Sequence, residues 1–223
     1  MITRLSVTGG ASVTGYLVAS FLTAVLLLLL PGSAPAGEPQ GPERVVERVS
    51  TEMLRVLENQ RERLKTDPGY VYQLADEILL PHVDFERVSS LVLGKHWRSA
   101  TPVQRQEFIH QFRKLLVRSY ATALNELGAW EMRVIPSALK SGAKLATVRA
   151  QLIRSQVAPV DLLYSMILRD GKWMAYDVRI DGISLVTNYR SSFSKEVRLL
   201  GIAGLIEKIT VLNDSRVTNN ESS

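Results

Sequence analysis

The chain has 223 residues, 27 Lys and Arg against 22 Asp and Glu, a formal charge of +5 and 46% hydrophobic residues. This is an ordinary globular composition, long enough for one domain, or two small ones, with a real core, and it disfavours wholesale disorder, collagen and coiled coil. The absence of Cys removes disulfides, thiol nucleophiles, Cys-ligated zinc and iron–sulfur clusters together, and the mild positive charge permits an anionic partner without demanding nucleic acid.

Residues 1–36 carry one charge, Arg4, followed by 15 apolar or small residues from Tyr16 to Leu30. That run is shorter than the roughly 20 residues of a membrane helix. Pro31-Gly32 breaks it, and Ala34-Pro35-Ala36 supplies a small-residue cleavage site. The segment reads as a secretory signal peptide cleaved after Ala36, with an uncleaved anchor as the alternative. An exported protein meets little ATP, NADH or nucleic acid. In keeping with this, neither a G-x-x-x-x-G-K-[ST] nor a G-x-G-x-x-G motif occurs.

Residues 37–42 form a polar Pro/Gly linker. From there Val45, Val46, Val49, Met53, Val56, Leu57 and Leu64 recur at three- and four-residue steps, the mark of an amphipathic helix. Asp67-Pro68 predicts a second start, Asp as cap and Pro in the first turn, for a helix stopping at Leu80 before Pro81. Asp84 caps a short helix ending near Gly94. Thr101-Pro102-Val103-Gln104 has the form of a capping box, and the helix behind it carries Phe108, Phe112, Leu115, Leu116, Tyr120, Leu124 and Leu127 on one apolar face, with Gly128 as its exit.

The period then changes. Residues 130–135, 144–154, 160–169 and 173–180 read as strands, bounded by Pro136, Ser141-Gly142, Pro159 and Gly182. Asp170-Gly171 is a strong hairpin signal between the last two. Helical periodicity returns from Ser184 to Leu200 and from Ile202 to Leu212, leaving residues 213–223 as a frayed polar tail. The domain at 43–212 is therefore α+β, with N- and C-terminal helices on one face of an antiparallel meander. Periodicity does not separate a packed core from a cavity between helices and sheet, so both stand.

Catalytic and metal signals are sparse. His82, His96 and His110 have no metal-ligand spacing, and no G-x-S-x-G occurs. Asp76, Glu77, Asp84 and Glu86 read as helical, solvated carboxylates. Tyr176-Asp177 on the last strand is the one pair suited to general-base work in a cavity, and it suits bonding to backbone donors or Arg179 better. Basic residues at Lys140, Lys144, Arg149, Arg154, Arg169, Lys172, Arg190, Lys195 and Arg198 read as solvated faces, or as a rim for acidic head groups.

Two longer runs are more specific: Leu91-Val92-Leu93-Gly94-Lys95-His96-Trp97-Arg98-Ser99-Ala100-Thr101-Pro102-Val103-Gln104-Arg105, and Gly171-Lys172-Trp173-Met174-Ala175-Tyr176-Asp177-Val178 continuing through Gly182-Ile183-Ser184-Leu185. With Asp76 to Val83 and Gly201 to Ile206, they resemble the MlaC family, also called the toluene-tolerance family, over about residues 43–210. The resemblance implies a nuclear-transport-factor-like fold with a large apolar cavity. It also implies a periplasmic, monomeric phospholipid carrier without cofactor or metal, working between an outer-membrane lipoprotein–porin complex and an inner-membrane ABC transporter. Physics agrees with a container: the roughly 30 methylenes of a two-chain lipid cost on the order of 25 kcal/mol when exposed to water. Such a container calls for a pocket near the upper end of ligand sites, about 1,000 Å³. On this reading Leu79, Leu80, Val83, Leu91, Trp97, Phe108, Phe112, Leu116, Tyr120, Trp173, Tyr176, Val178, Ile183 and Val186 line it. A cavity enzyme of isomerase or dehydratase type, using Asp177 and Tyr176, is the alternative on the same fold.

Overall fold

Helices run first. The computed structural model describes residues 41–67, 69–126 and 130–220, with side chains throughout except in 121–126 and 215–220. The leader at 1–36, most of the linker, Gly128 and the last three residues lie outside these, as do the side chains of Leu124 and Leu127.

Helix α1 spans Pro42–Asn59 and α2 Arg61–Thr66, separated at Gln60, where one continuous helix is expected from the periodicity. Pro42, expected in the linker, opens α1 and is buried. The second start also falls elsewhere: Asp67 closes α2, and α3 (Tyr70–Leu74) begins from Gly69 without a side-chain cap. The chain does not stop at Leu80. It widens into a π-turn over Ala75–Leu79 and tightens into a 3₁₀ turn over Leu80–His82, which accepts Pro81 because the first turn of a helix needs no donor there.

Local chemistry decides the next two helices. Asp84 Oδ1 accepts from the Arg87 amide at 3.0 Å, opening α4 (Phe85–Leu93), and Gly94 at φ 55° ends it. That left-handed φ lets the chain restart at once as α5 (Lys95–Ser99), a turn that periodicity does not reveal. The capping box then forms in full. The Thr101 amide donates to Gln104 Oε1 at 3.0 Å and the Gln104 amide to Thr101 Oγ1 at 3.2 Å, starting α6 (Pro102–Glu126).

Four strands follow: β1 (Glu131–Ile135), β2 (Leu145–Arg154), β3 (Val157–Arg169) and β4 (Lys172–Ile180). A two-residue β5 (Ile183–Ser184) completes an antiparallel sheet of order β1-β2-β3-β4-β5. The β3–β4 hairpin turns on Asp170 and Gly171, both at positive φ (50° and 75°). Strand β3 starts before Pro159, not after it. The register shifts opposite that start, between Leu152 and Arg154, so a residue without an N–H is tolerated there. The last helix, α7 (Leu185–Asn220), is broken at Gly201 (φ 71°). It continues beyond Leu212. Asn213, expected in the tail, is buried and its Nδ2 donates to the Gln111 carbonyl at 3.0 Å and side chain at 2.9 Å.

Among the described residues the buried apolar side chains group into four clusters, three of them joined through the shared half-buried neighbours Ile78, Leu79, Val134 and Tyr164. One joins α4, α6 and α7 through Phe108, Phe112 and Phe193; one joins α1 to β2–β4 through Val148, Met166 and Trp173. A third joins α1, α2 and α3 through Leu57 and Val71, and a fourth sits on the sheet at Ala150, Leu152 and Leu162.

Candidate lipid-binding site

A partly open cavity of about 510 Å³ occupies the space between helices and sheet. Val45, Val46, Val49 and Met53 of α1 form one wall, and Leu79, Leu80 and Val83 of the π/3₁₀ segment another. Phe112, Leu116, Val117 and Tyr120 come from α6, and Leu185, Val186 and Tyr189 from α7. The floor is the sheet, through Met132, Leu152, Leu162, Tyr164, Met166 and Val178. Among the described residues no Lys or Arg lines it, and the charged or titrating groups besides tyrosines are His82 and Asp177.

A β-bulge shapes the floor. Ser165 pairs with Asp177 but Met166 pairs with Ala175, so Tyr176 is the extra residue of β4. Alternation is broken there, and Ala175, Tyr176, Asp177 and Val178 all reach the cavity in succession. Strand parity read from sequence misses this, because the extra residue moves every later side chain to the other face. The Tyr176 ring also packs under Arg87, 4.5 Å from guanidinium to centroid.

Asp177 is fully engaged. Oδ2 accepts from Ser184 Oγ at 2.7 Å, Oδ1 accepts from the Val186 amide at 3.1 Å, and Ser184 Oγ accepts from the Thr187 amide at 3.0 Å. The carboxylate thus fastens the start of α7 to the sheet, where negative charge is favoured. Asp177→Ala is expected to lower stability by about 1–2 kcal/mol, read by thermal or urea unfolding.

Three polar groups in the wall are held neutral. Burial lowers the His82 pKa below the usual imidazole value; Arg48 and Lys172 act the same way and Glu52 opposes them. Burial raises Tyr120, helped by its hydrogen-bonded neighbour Tyr189. Burial pushes Tyr164 up to about 12 from 10, a hydrogen bond with Ser50 pulling the other way. The folded chain holds this last proton more tightly than the unfolded chain. Its stability contribution is therefore complete below pH 10 and lost as pH rises from about 10 to about 12, by about 3 kcal/mol in full. Urea midpoints measured across that window should fall for the wild type and fall less for Tyr164→Phe.

Nine of the residues expected to line a pocket do line the cavity: Leu79, Leu80, Val83, Phe112, Leu116, Tyr120, Tyr176, Val178 and Val186. Five stand elsewhere. Phe108 is fully buried one helical turn before Phe112, stacked on it at 5.4 Å and edge-on to Phe193 at 5.9 Å. Trp173 is buried among α1, β2 and β3. Trp97 closes the edge of the Phe108 cluster under Arg105, whose Nε donates to its carbonyl at 3.0 Å. Leu91 is half-buried on α4, outside the lining. Ile183, on the outer edge strand, is 65% exposed. The α1 valines and the alternating Leu162, Tyr164 and Met166 were missed, although their periodicity marks them as inward-facing.

Among the described residues no group of three or more His, Asp and Glu is arranged to hold a metal, and no helix is long and apolar enough to cross a membrane.

A five-strand meander with helices on one face, enclosing an apolar space with no Lys or Arg among its described lining residues, defines an α+β fold with room for an apolar ligand. The family described as MlaC protein matches residues 47–211. The toluene tolerance protein ttg2D of Pseudomonas putida is 30% identical over 163 residues, 73% of this chain and 75% of that protein. The intermembrane phospholipid transport system binding protein MlaC of Haemophilus influenzae is 24% identical over 193 residues, 85% and 90% of the two chains. A phospholipid-binding protein from Ralstonia solanacearum, solved in complex with a phospholipid, superposes with a TM-score of 0.72 at 25% identity, covering 78% of this chain and 97% of that one. The chain belongs to the MlaC family.

Proposed function

We propose that this protein is a periplasmic phospholipid carrier, exported by a leader cleaved after Ala36. It moves lipid between an outer-membrane lipoprotein–porin complex and an inner-membrane ABC transporter and performs no chemistry of its own. The observation that carries the reading is the cavity wall: aliphatic and aromatic side chains almost throughout, no Lys or Arg among the described lining residues, His82, Tyr120 and Tyr164 held neutral, and Asp177 committed to Ser184 and Val186. Such a wall suits acyl chains and repels a phosphate, so the head group stays outside. The binding named for the Haemophilus and Ralstonia relatives supports the same assignment.

The nine lining residues first expected from the sequence are the proposed acyl contacts, together with Met53, Leu162 and Met166. At about 510 Å³ the cavity is half the volume expected for two full chains. Loading therefore widens it. The enzyme reading is the weaker one, because both oxygens of Asp177 are committed to Ser184 and Val186.

The test is transfer. The purified chain, loaded with a labelled phospholipid, is mixed with vesicles carrying either membrane complex. The label should move to vesicles bearing a complex much faster than to bare vesicles. Equal rates to all three would overturn the shuttle. Turnover of any small substrate that Asp177→Asn abolishes would favour the enzyme.

A further inference from the structure

The apolar cavity has a counterpart on the other side of α6. His110, Arg113, Lys114, Val117 and Arg118 fall at helical spacing along one face of that helix. They line a second cleft of about 380 Å³ whose far wall is Tyr72 and Asp76. Val117 lines both spaces, so the two lie back to back across one side chain. Their chemistry is opposite: three permanent cations face one carboxylate in the cleft, whereas the described residues of the cavity wall include no Lys or Arg.

Two of the three cations are fixed in place. Arg113 Nη2 donates to Asp76 Oδ1 at 2.8 Å, and its guanidinium lies 5.9 Å from the Phe85 ring. Arg118 donates to the Asn213 carbonyl and lies 5.9 Å from the Tyr72 ring. A guanidinium has five N–H donors, so each keeps several for a ligand while its orientation is already set. Lys114 makes no hydrogen bond or ion pair among the described residues, and adds a point charge. Two oriented forks and one ammonium around a concave space match a tetrahedral oxyanion, and the ordering cost of binding is largely met in advance.

We infer that this cleft is a binding site for a phosphate group. The phosphate comes either from the head group of a phospholipid, in which case the inference rests on the carrier reading, or free from solution. Inorganic phosphate and a water-soluble glycerophosphodiester are the probes, titrated into lipid-free and lipid-loaded full chain and followed by amide chemical shifts. Saturable shifts at residues 110–118 are expected, weakened at least fivefold in Lys114→Gln and in Arg113→Gln and reduced by added salt. A diester blocked by lipid loading assigns the cleft to the head group. Phosphate binding equally to both forms assigns it to the free anion. Shifts that never saturate, or that are unchanged in both variants, overturn the site. A chain with the apolar cavity filled by tryptophans should still bind phosphate, so failure of the carrier reading and failure of the cleft are seen separately.

Discussion

Leu116→Trp combined with Val178→Trp is expected to cut the phospholipid extracted per chain at least tenfold, with little change in melting temperature. Leu116 comes from α6 and Val178 from β4, so the two indoles enter the same space from helix and sheet. In a close-packed interior, such large residues would cost about 1–3 kcal/mol each through strain. Here they have about 510 Å³ to enter, and the volume they take is the volume a lipid needs. Lipid per chain, measured by organic extraction and phosphorus assay, would show the effect. Retention of wild-type lipid by a stable double variant would mean the acyl chains lie elsewhere.

Phe108→Ala should produce the opposite pattern. Phe108 has no exposed surface, stacks on Phe112, meets Phe193 edge-on and does not line the cavity. Truncating a buried Phe costs about 3–5 kcal/mol, which for a domain of this size is a fall in melting temperature of roughly 10 °C. Lipid per folded chain should not change. Lipid loss out of proportion to unfolding would move Phe108 back into the binding wall.

These two phenylalanine-rich turns of α6 show where sequence reading stops. Phe108 and Phe112 lie on the same helical face, and periodicity treats them alike. What separates them is position along the axis: Phe108 stacks on Phe112 and meets Phe193 away from the cavity, and Phe112, one turn on, also meets Tyr189 and lines it. That depends on tertiary packing. The β4 bulge is similar. Nothing in Trp173 to Ile180 announces an extra residue at Tyr176, and the bulge decides which side chains face the cavity. The π-turn over Ala75–Leu79 and the early end of α1 at Gln60 carry no signal in the hydrophobic period either.

Features made by neighbouring residues were legible. The Thr101–Gln104 box, the Asp84 cap, the Asp170-Gly171 turn and the break at Gly201 each depend on side-chain or backbone chemistry within a few positions. The order of helices and strands follows from them, and with it the α+β architecture. Asn213 was misread because a polar run after Leu212 resembles a tail. Its partner, Gln111, is distant in sequence, and only the folded chain pairs them. The cavity was legible only as one of two possibilities, since inward-facing aliphatics look the same whether they meet each other or a ligand.

Native mass spectrometry of the purified full chain tests the central claim most directly. The account predicts a species heavier than the bare chain by the mass of a phospholipid, lost on collisional activation and greatly reduced in the Leu116/Val178 tryptophan variant. A bare chain that remains bare after incubation with phospholipid vesicles would contradict it.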